Sequence, residues 1–232
     1  MVECTAPATR ADGDATKEHI LDVASLIFAE KGFDRTTSKE ICEAAGVNTA
    51  SINYHFGGKS GLYKALLYRS HELLIETKVL IKIDESAMSP FEKLSAIIES
   101  FVERALCNPR FFRIFIRESI LPSSEFYEVM HDVMANRVSP KIEITRRIVA
   151  DYSGLPEDHR SIDRIIFNLS APNILYLIMD HSVAGEIYPT LYNARAEQTE
   201  IVRHMKLTTF GAIDAILRDL NRPLPSWSLT ED

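Results

Sequence analysis

One short stretch concentrates polar side chains that can hydrogen-bond to nucleic acid. Thr49, Ser51 and Asn53 carry hydroxyl and amide groups, and Tyr54 and His55 follow directly. Such groups can bond to the edges of bases in the major groove of DNA. None of the five is an acid, so the stretch can approach phosphates without repulsion. This composition predicts a surface that reads DNA sequence, although a merely polar surface helix would show the same residues.

Four further residues near this stretch could hold phosphates. Thr36, Thr37 and Ser38 precede or begin a helical pattern, where a hydroxyl or the free N–H groups of the first turn can bond to a phosphate. Lys59 begins the next helical pattern after the polar stretch, and its charge favours a phosphate as well. We therefore predict that these four residues position the reading surface on the DNA backbone.

Two short helices joined by a tight turn must position these side chains. The first spans residues 38–45 and carries apolar residues at helical spacing on one face. Gly46 ends it, since glycine accepts the left-handed conformation that closes a helix. The second helix spans roughly residues 49–55, with Asn48 or Thr49 as its N-cap. A helix, a short turn with glycine and a second helix form the helix-turn-helix pattern, whose second helix enters the major groove.

Residues 20–67 resemble the N-terminal domain of the TetR/AcrR family of bacterial transcriptional regulators. The resemblance rests on the segments AxxxFAEKGFDRTT, IxEAAGV and INYHFGGKSGLYKAL. The form INYHFGGKSGLY is similar to the CerR-like branch of that family. The rest of the chain carries no comparable motif.

The resemblance implies an all-α fold. It combines an N-terminal three-helix helix-turn-helix domain of homeodomain-like form with a C-terminal helical domain for ligand binding and dimerisation. It also implies a homodimer that binds a palindromic operator in double-stranded DNA and represses transcription until a small-molecule effector binds. No cofactor is expected.

The helical patterns predict how the chain is divided. Residues 1–15 lack any periodicity and are expected to form a mobile arm. Residues 16–80 should form the DNA-binding domain and residues 81–232 the ligand-binding and dimerisation domain. A long helix from Lys59 to about Ile81 is expected to link the two. Because it would begin at the DNA and end in the second domain, it is the natural mechanical connection between them.

Three more long helices are expected in the second half of the chain. The first should run from Ser123 to about Tyr152, with Pro140 kinking or splitting it. The second, roughly Pro156 to Ala184, is apolar on almost all sides, which predicts burial against a second copy of the chain. The third should run from about Ala194 to Leu220. Its expected contribution to the dimer interface comprises Met205, Phe210, Ile213, Ile216 and Leu217.

An effector pocket is expected within the C-terminal helices, where polar residues interrupt apolar faces. Aromatic residues would form its walls, and a pair of arginines one helical turn apart could hold an anionic group. Those arginines could instead pair with Glu103 or Glu118 in a structural network, and a packed core without a cavity is the other alternative. The candidate pocket residues are Phe101, Arg113, Phe115, Arg117, Phe126, Asn168, Asn173, Tyr176 and Asp180.

Composition and charge narrow the class of protein. The chain is 46% hydrophobic and 25% charged, as is usual for a globular protein in water, and no apolar run is long enough to span a bilayer. We therefore predict a cytoplasmic protein without a membrane partner. The net charge of −7 does not exclude DNA, because residues 36–69 are locally positive. Their charged residues are Lys39, Lys59, Lys64 and Arg69, against Glu40 and Glu43.

Catalytic and metal-binding signals are weak. No G-x-S-x-G, P-loop, H-E-x-x-H or C-x-x-C motif occurs, and the histidines and acids are scattered. We therefore predict neither an enzyme nor a metal site. Two rival classes remain open. A nucleoid-type protein would bind DNA without sequence preference, whereas a helical enzyme or metal-binding protein would show turnover or stoichiometric metal.

Overall fold

The computed structural model describes residues 12–74, 76–133, 139–179, 181–189 and 198–227. Across these ranges the chain forms twelve α-helices and no strand, which confirms the predicted all-α fold. No helix in these ranges is long and apolar enough to cross a membrane.

The helices follow one another with short connections. They are α1 (Asp12–Arg35), α2 (Ser38–Ala45), α3 (Thr49–Phe56), α4 (Lys59–Leu74), α5 (Thr77–Asp84), α6 (Pro90–Cys107), α7 (Pro109–Ile120), α8 (Ser124–Val133), α9 (Ser139–Ser153), α10 (Arg160–Ile178), α11 (His181–Ile187) and α12 (Gln198–Asp219).

The two helices of the predicted helix-turn-helix have the expected caps. The Thr37 hydroxyl accepts a hydrogen bond from the backbone N–H of Glu40 at 3.2 Å, which caps α2. Gly46 ends α2 with φ at 65°, in the left-handed region. Asn48 caps α3, since its side-chain oxygen accepts from the N–H of Ser51 at 3.0 Å. Of Asn48 and Thr49, the two residues considered as N-cap of α3, Asn48 therefore occupies that position.

The chain divides into two compact units that do not follow a single cut. The first unit combines residues up to 74 with residues 107–138, and the second combines residues 75–106 with 139–232. The helices α7 and α8 therefore belong to the same unit as the helix-turn-helix, where they pack against α1 and α4. A division at residue 80 remains a prediction, but the compact units are built from interleaved segments.

The first unit is organised around a buried aromatic and aliphatic core. Phe28 of α1 and Tyr63 of α4 are fully buried, with ring centroids 4.6 Å apart. Ile41 and Ile52 bring the inner faces of α2 and α3 to the same cluster. Phe111 of α7 belongs to it as well. The core therefore fixes how α3 is presented at the surface.

The second unit buries residues that were expected at a dimer interface. Four of the five apolar residues predicted to face a partner from α12 lie in the core of their own unit, so that prediction was wrong for them. They pack among buried residues of α6, α9 and α10, and Ile216 is partly buried against the same cluster. The four buried residues are Met205, Phe210, Ile213 and Leu217.

The predicted linking helix from Lys59 to Ile81 is interrupted. The helix α4 ends at Leu74 and α5 begins at Thr77, with Glu76 extended between them at φ −71° and ψ 133°. The Glu76 carboxylate is held there by Arg104 at 3.0 Å and by Lys78 at 3.1 Å. These two ion pairs lower the pKa of Glu76, the bond to Lys78 contributing most.

Two other predicted long helices can be compared with the structure. For the helix expected from Ser123 to Tyr152, the structure describes α8 up to Val133 and α9 from Ser139, and residues 134–138 between them lie outside the described part of the chain. Pro140 lies in the first turn of α9, where its missing N–H leaves no bond unmade. The expected helix from Pro156 to Ala184 is divided at Met179, whose ψ of 140° is not helical. Around Gly32 the backbone of α1 is also non-helical.

Candidate nucleic-acid interface

The outer face of α3 carries most of the residues predicted to read DNA. Thr49, Asn53 and Tyr54 are exposed, and the Tyr54 side chain is 84% exposed. Ser51 and His55 are half-buried at the edge of the same helix. An exposed tyrosine ring leaves a large apolar area in water. It can therefore gain free energy when a partner covers it. The structure thus places all five predicted residues on one short helix.

The inner face of α3 fixes the helix on the first unit. Ile52 is completely buried and belongs to the core of that unit, while Phe56 is half-buried against it. The end of α3 also approaches the first turn of α4 very closely, since a Cβ added at Gly61 would lie 1.7 Å from the carbonyl oxygen of Phe56. Only a glycine permits this approach, so Gly61 sets the angle between α3 and α4.

The aromatic rings at the end of α3 support one another. The rings of Tyr54 and His55 meet edge to face, with centroids 4.9 Å apart. The ammonium group of Lys17 in α1 lies over the ring of Phe56 at 5.9 Å. Lys17 therefore adds a positive charge beside the exposed face. The residue pattern around α3 does not predict this charge, because Lys17 lies far from α3 along the chain.

The start of α2 is used differently from the prediction. Thr37 and Ser38 lie at the start of α2, beside its first N–H groups. Thr37 is exposed and Ser38 is half-buried. Thr36 is 1% exposed, and its hydroxyl donates to the carbonyl oxygen of Gly32 at 2.8 Å. The hydroxyl of Thr36 is thus already used inside the protein, which corrects the predicted phosphate contact by that group.

Lys59 joins the start of α4 to the turn between α1 and α2. Its ammonium group donates to the carbonyl oxygens of Phe33 at 3.0 Å and Thr36 at 2.8 Å. It also lies 4.0 Å from the centroid of the Phe33 ring. An ammonium group has three N–H donors, and two of them are used in this way. Lys59 therefore ties the start of α4 to the residues that precede α2, and its predicted phosphate contact falls to one remaining donor.

The cations around α2 and α4 differ in how firmly they are paired. Lys39 is exposed, and its ammonium group lies 3.8 Å from Glu43 in an open pair one turn along α2. Lys64 bonds to Glu128, which raises the pKa of Lys64, and Arg69 bonds to Glu18. Exposed pairs of this kind contribute little to stability. Lys39 is the predicted cation best placed to meet a phosphate.

The carboxylate of Glu118, one of the two partners considered for Arg113 and Arg117, is bonded to other groups. Glu118 is 2% exposed and accepts hydrogen bonds from the Tyr63 hydroxyl and from both the N–H and the hydroxyl of Ser123. Burial, and then the Glu118 carboxylate, raise the pKa of Tyr63 far above its usual range. The guanidinium group of Arg117 lies instead against Gly32, where an added Cβ would come within 2.4 Å of it.

The residues predicted to line an effector pocket are spread over the chain. Arg113, Phe115, Arg117 and Phe126 belong to the first unit, and Phe101 and Asn168 to the second. The side chains of Asn173 and Tyr176 are not described, and Asp180 lies outside the described residues. A cleft described in the second unit is lined by none of them. A pocket built from these nine residues remains a prediction.

Acidic, histidine and cysteine side chains do not gather into a metal centre within the described part of the chain. Cys42 is a buried residue of α2 with a free thiol, and its sulfur lies 3.8 Å from the hydroxyl oxygen of Thr49. This geometry gives Cys42 a packing role at the turn between α2 and α3.

Two family profiles match the chain. The profile described as bacterial regulatory proteins of the tetR family matches residues 20–66. The profile described as the C-terminal domain of the HTH-type transcriptional dual regulator CecR matches residues 71–216, which is more than half of the chain.

Individual relatives agree with these profiles. The chain is 30% identical over 116 residues to the probable HTH-type transcriptional regulator YttP of Bacillus subtilis, covering 50% of this chain and 56% of that protein. It is 32% identical over 94 residues to the HTH-type transcriptional regulator AcrR of Shigella flexneri, covering 40% of this chain and 42% of that protein. The chain spans about half the length of these curated relatives.

A solved structure shares the fold over nearly the whole chain. The crystal structure of a TetR-like transcriptional regulator from Rhodococcus sp. RHA1 superimposes with a TM-score of 0.62 at 15% identity. The superposition covers 90% of this chain and 99% of that one. At this identity the likeness establishes the fold alone.

Proposed function

We propose a function from one premise: the chain belongs to the TetR family of bacterial regulatory proteins and is a DNA-binding transcriptional regulator. Within that family, the chain acts as a repressor. It binds a palindromic operator as a homodimer and leaves it when a small effector binds. The match to the CecR C-terminal domain supports placing the chain in the CecR-like branch, close to the predicted CerR-like assignment.

The exposed face of α3 carries this proposal. Its polar side chains and the protruding Tyr54 lie on a helix whose opposite face is anchored by the fully buried Ile52. Hydroxyl and amide groups on a rigid helix can bond to base edges, and the start of α2 supplies N–H groups for a phosphate. Ser51 and Asn53 are assigned to sequence recognition. Thr37 and Lys39 are assigned to the DNA backbone.

The exposed apolar surface of α10 and α11 supports the homodimer. Phe167 and Leu175 of α10 are 67% and 55% exposed, and Val183 and Ile187 of α11 are similarly exposed. Four large apolar side chains exposed on two successive helices exceed the isolated exposed residues of an ordinary surface and favour an interaction site. A two-fold dimer through this surface would carry two helix-turn-helix elements. Its operator half-sites would then lie about one helical turn, roughly 34–36 Å, apart.

The proposed release is a population shift. The effector binds more tightly to a state in which the two α3 helices have another spacing, and so it shifts the protein towards that state. The resulting loss of operator affinity is set by the difference between the effector's affinities for the two states. The connection between α4 and α5 at Glu76 is an extended residue between two helices, which is a suitable place for such a change.

Footprinting on the DNA upstream of the protein's own gene tests the proposal. The expected result is a protected, two-fold symmetric site, followed by tighter binding to that site than to a random duplex of equal length at every salt concentration. Equal affinity for both duplexes would instead support a nucleoid-type protein and overturn the proposal. The relatives that match are transcriptional regulators, so turnover of a substrate is not the expected activity.

A further inference from the structure

A cleft in the second unit lies where the end of the chain packs against α6 and α9. Its volume is about 700 Å³, in the range of small-molecule sites. None of its lining residues is among the nine predicted for the effector pocket. The described lining residues are Ser89, Pro90, Phe91, Asp151, Tyr152, Pro225, Ser226 and Trp227.

Aromatic rings form one side of this cleft. Phe210 of α12 is completely buried and lies at the centre of the group. Its ring centroid is 4.7 Å from that of Phe91, 5.3 Å from that of Tyr152 and 5.3 Å from that of Trp227. The Phe210 ring itself lies between the other three, so the rings that line the cleft are those of Phe91, Tyr152 and Trp227. Electron-rich ring faces attract cations.

Two buried oxygen atoms beside these rings lack a hydrogen-bond partner among the described residues. One is the Tyr152 hydroxyl, on a side chain that is only 6% exposed, and the other is Oδ1 of Asp214 in α12. The second carboxylate oxygen, Oδ2, accepts a hydrogen bond from the indole N–H of Trp227 at 3.2 Å. A buried carboxylate oxygen without a donor is costly, so this place favours a group that brings one.

The charge on the described lining of the cleft is negative. Asp151 lines it, and none of the lining residues that the structure describes is Lys or Arg. Asp214, which accepts from the Trp227 indole, brings a second carboxylate close to the lining. Burial, and then the charge of Asp214, raise the pKa of Tyr152 far above its usual range, so its hydroxyl stays protonated. It can then donate toward the carboxylate and accept from a ligand.

We infer that this cleft binds a small organic amine in its ammonium form. The ammonium group donates to Oδ1 of Asp214 and to the Tyr152 oxygen, and the apolar part of the ligand packs against Phe91 and Trp227. The site lies wholly within the second unit, and its occupation does not depend on binding to DNA.

The fluorescence of Trp227 reports on the site directly, because it is the only tryptophan in the chain. Both oxygen atoms are buried in the structure, so an amine reaches them only if neighbouring side chains shift, and the Trp227 indole is hydrogen-bonded to the same Asp214 carboxylate. Titration of the whole protein with 2-phenylethylamine, 2-phenylethanol and phenylacetate compares a cation, a neutral group and an anion on similar frames. We expect the amine to change the emission and to bind at least tenfold more tightly than the alcohol, with phenylacetate weakest.

Variants assign the effect to the two oxygen atoms. Asp214→Asn should reduce amine affinity at least tenfold and leave the alcohol unchanged, whereas Asp219→Asn at the exposed end of α12 should change neither. Tyr152→Phe, which keeps the ring, should weaken amine binding severalfold if Asp214→Asn fails to fold. Equal affinity for all three compounds, no emission change with the amine, or an amine preference that survives both variants would overturn the inference. Operator binding is measured separately, so a failure there leaves this result intact.

Discussion

Two surfaces of this protein are exposed for opposite reasons. The face of α3 offers hydroxyl, amide and imidazole groups with one protruding tyrosine. Among the described side chains of α10 and α11, the large apolar Phe167, Leu175, Val183 and Ile187 are more than half exposed. The first surface can form directional hydrogen bonds to a polar partner, whereas the second can gain free energy only by removing apolar area from water.

This difference separates recognition from assembly. The polar side chains on α3 are hydrated by water when no partner covers them. Their exposure therefore costs the uncomplexed protein little free energy. Apolar residues on α10 and α11 remain costly until they are covered, which favours a permanent partner over a transient one. Changes in the two surfaces should therefore affect different measurements, and the following predictions separate them.

The largest effect is expected from a charge placed on the apolar surface. Leu175→Arg should weaken the proposed dimer by about 4 kcal/mol, roughly a thousandfold, because the new charge would be buried without a partner. Sedimentation equilibrium measures the change as a shift from dimer to monomer mass. Ile120→Arg is the matched control, since Ile120 is 70% exposed in the first unit. A Leu175→Arg protein that remains dimeric would show that this surface does not hold the two copies together.

The next effect is expected below α3. Gly61→Ala would place a methyl group against the carbonyl oxygen of Phe56, and we expect a loss of about 3 kcal/mol in the free energy of unfolding. Operator binding should fall while the dimer persists, as denaturant titration and sedimentation together can show. Gly13→Ala, with open space around its Cβ, should change stability by less than about 0.5 kcal/mol. Equal effects of the two substitutions would contradict the proposed role of Gly61.

A smaller effect is expected from the buried hydroxyl of Tyr63. Tyr63→Phe removes its hydrogen bond to Glu118 and should cost about 2 kcal/mol at neutral pH. The raised pKa of Tyr63 also predicts a dependence on pH. An unfolded tyrosine loses its proton near pH 10 while the folded one keeps it, so this contribution is complete below about pH 10 and is lost as the pH rises above it.

Chemical denaturation between pH 8 and roughly pH 11 measures that contribution. Stability of the unmodified protein should decline above about pH 10 more steeply than that of Tyr63→Phe. Tyr54→Phe is the control, since Tyr54 is exposed and its substitution should leave the slope unchanged. Parallel slopes for all three proteins would show that Tyr63 titrates like an exposed tyrosine.

The smallest effects are expected on the α3 face itself. Asn53→Ala should narrow the difference in affinity between operator and random duplex by about 1–2 kcal/mol, because it removes the proposed base contact. Lys39→Ala should weaken binding to both duplexes alike and reduce the slope of log affinity against log salt by about 1. Salt titrations with both duplexes measure the two effects. If both variants lose affinity equally for every sequence, Asn53 does not read a base.

The helix-turn-helix could be predicted from sequence because its signals are local. A glycine at the end of α2 and an Asx residue before α3 determine a turn within a few residues of themselves. The apolar face of Ile52 follows from its spacing in the same way. The all-α fold and the family were therefore confirmed.

The misplaced residues depend on contacts between distant parts of the chain. The break at Glu76 is held by Arg104, which lies in another helix, and Lys59 bonds to carbonyl oxygens of residues 33 and 36. The apolar residues of α12 could face a core or a partner equally well by their pattern alone. Burial of Met205 and Phe210 was decided by which helices surround them.

The interleaving of the two compact units has a practical consequence for dissecting this protein. A fragment that stops at residue 80 would omit α7 and α8, and it would uncover the places where Phe111, Ile114 and Val129 complete the first unit. Such a fragment should be partly unfolded and prone to aggregation. Isolation of the first unit would instead require residues 12–74 and 107–133 to be joined by a short flexible peptide.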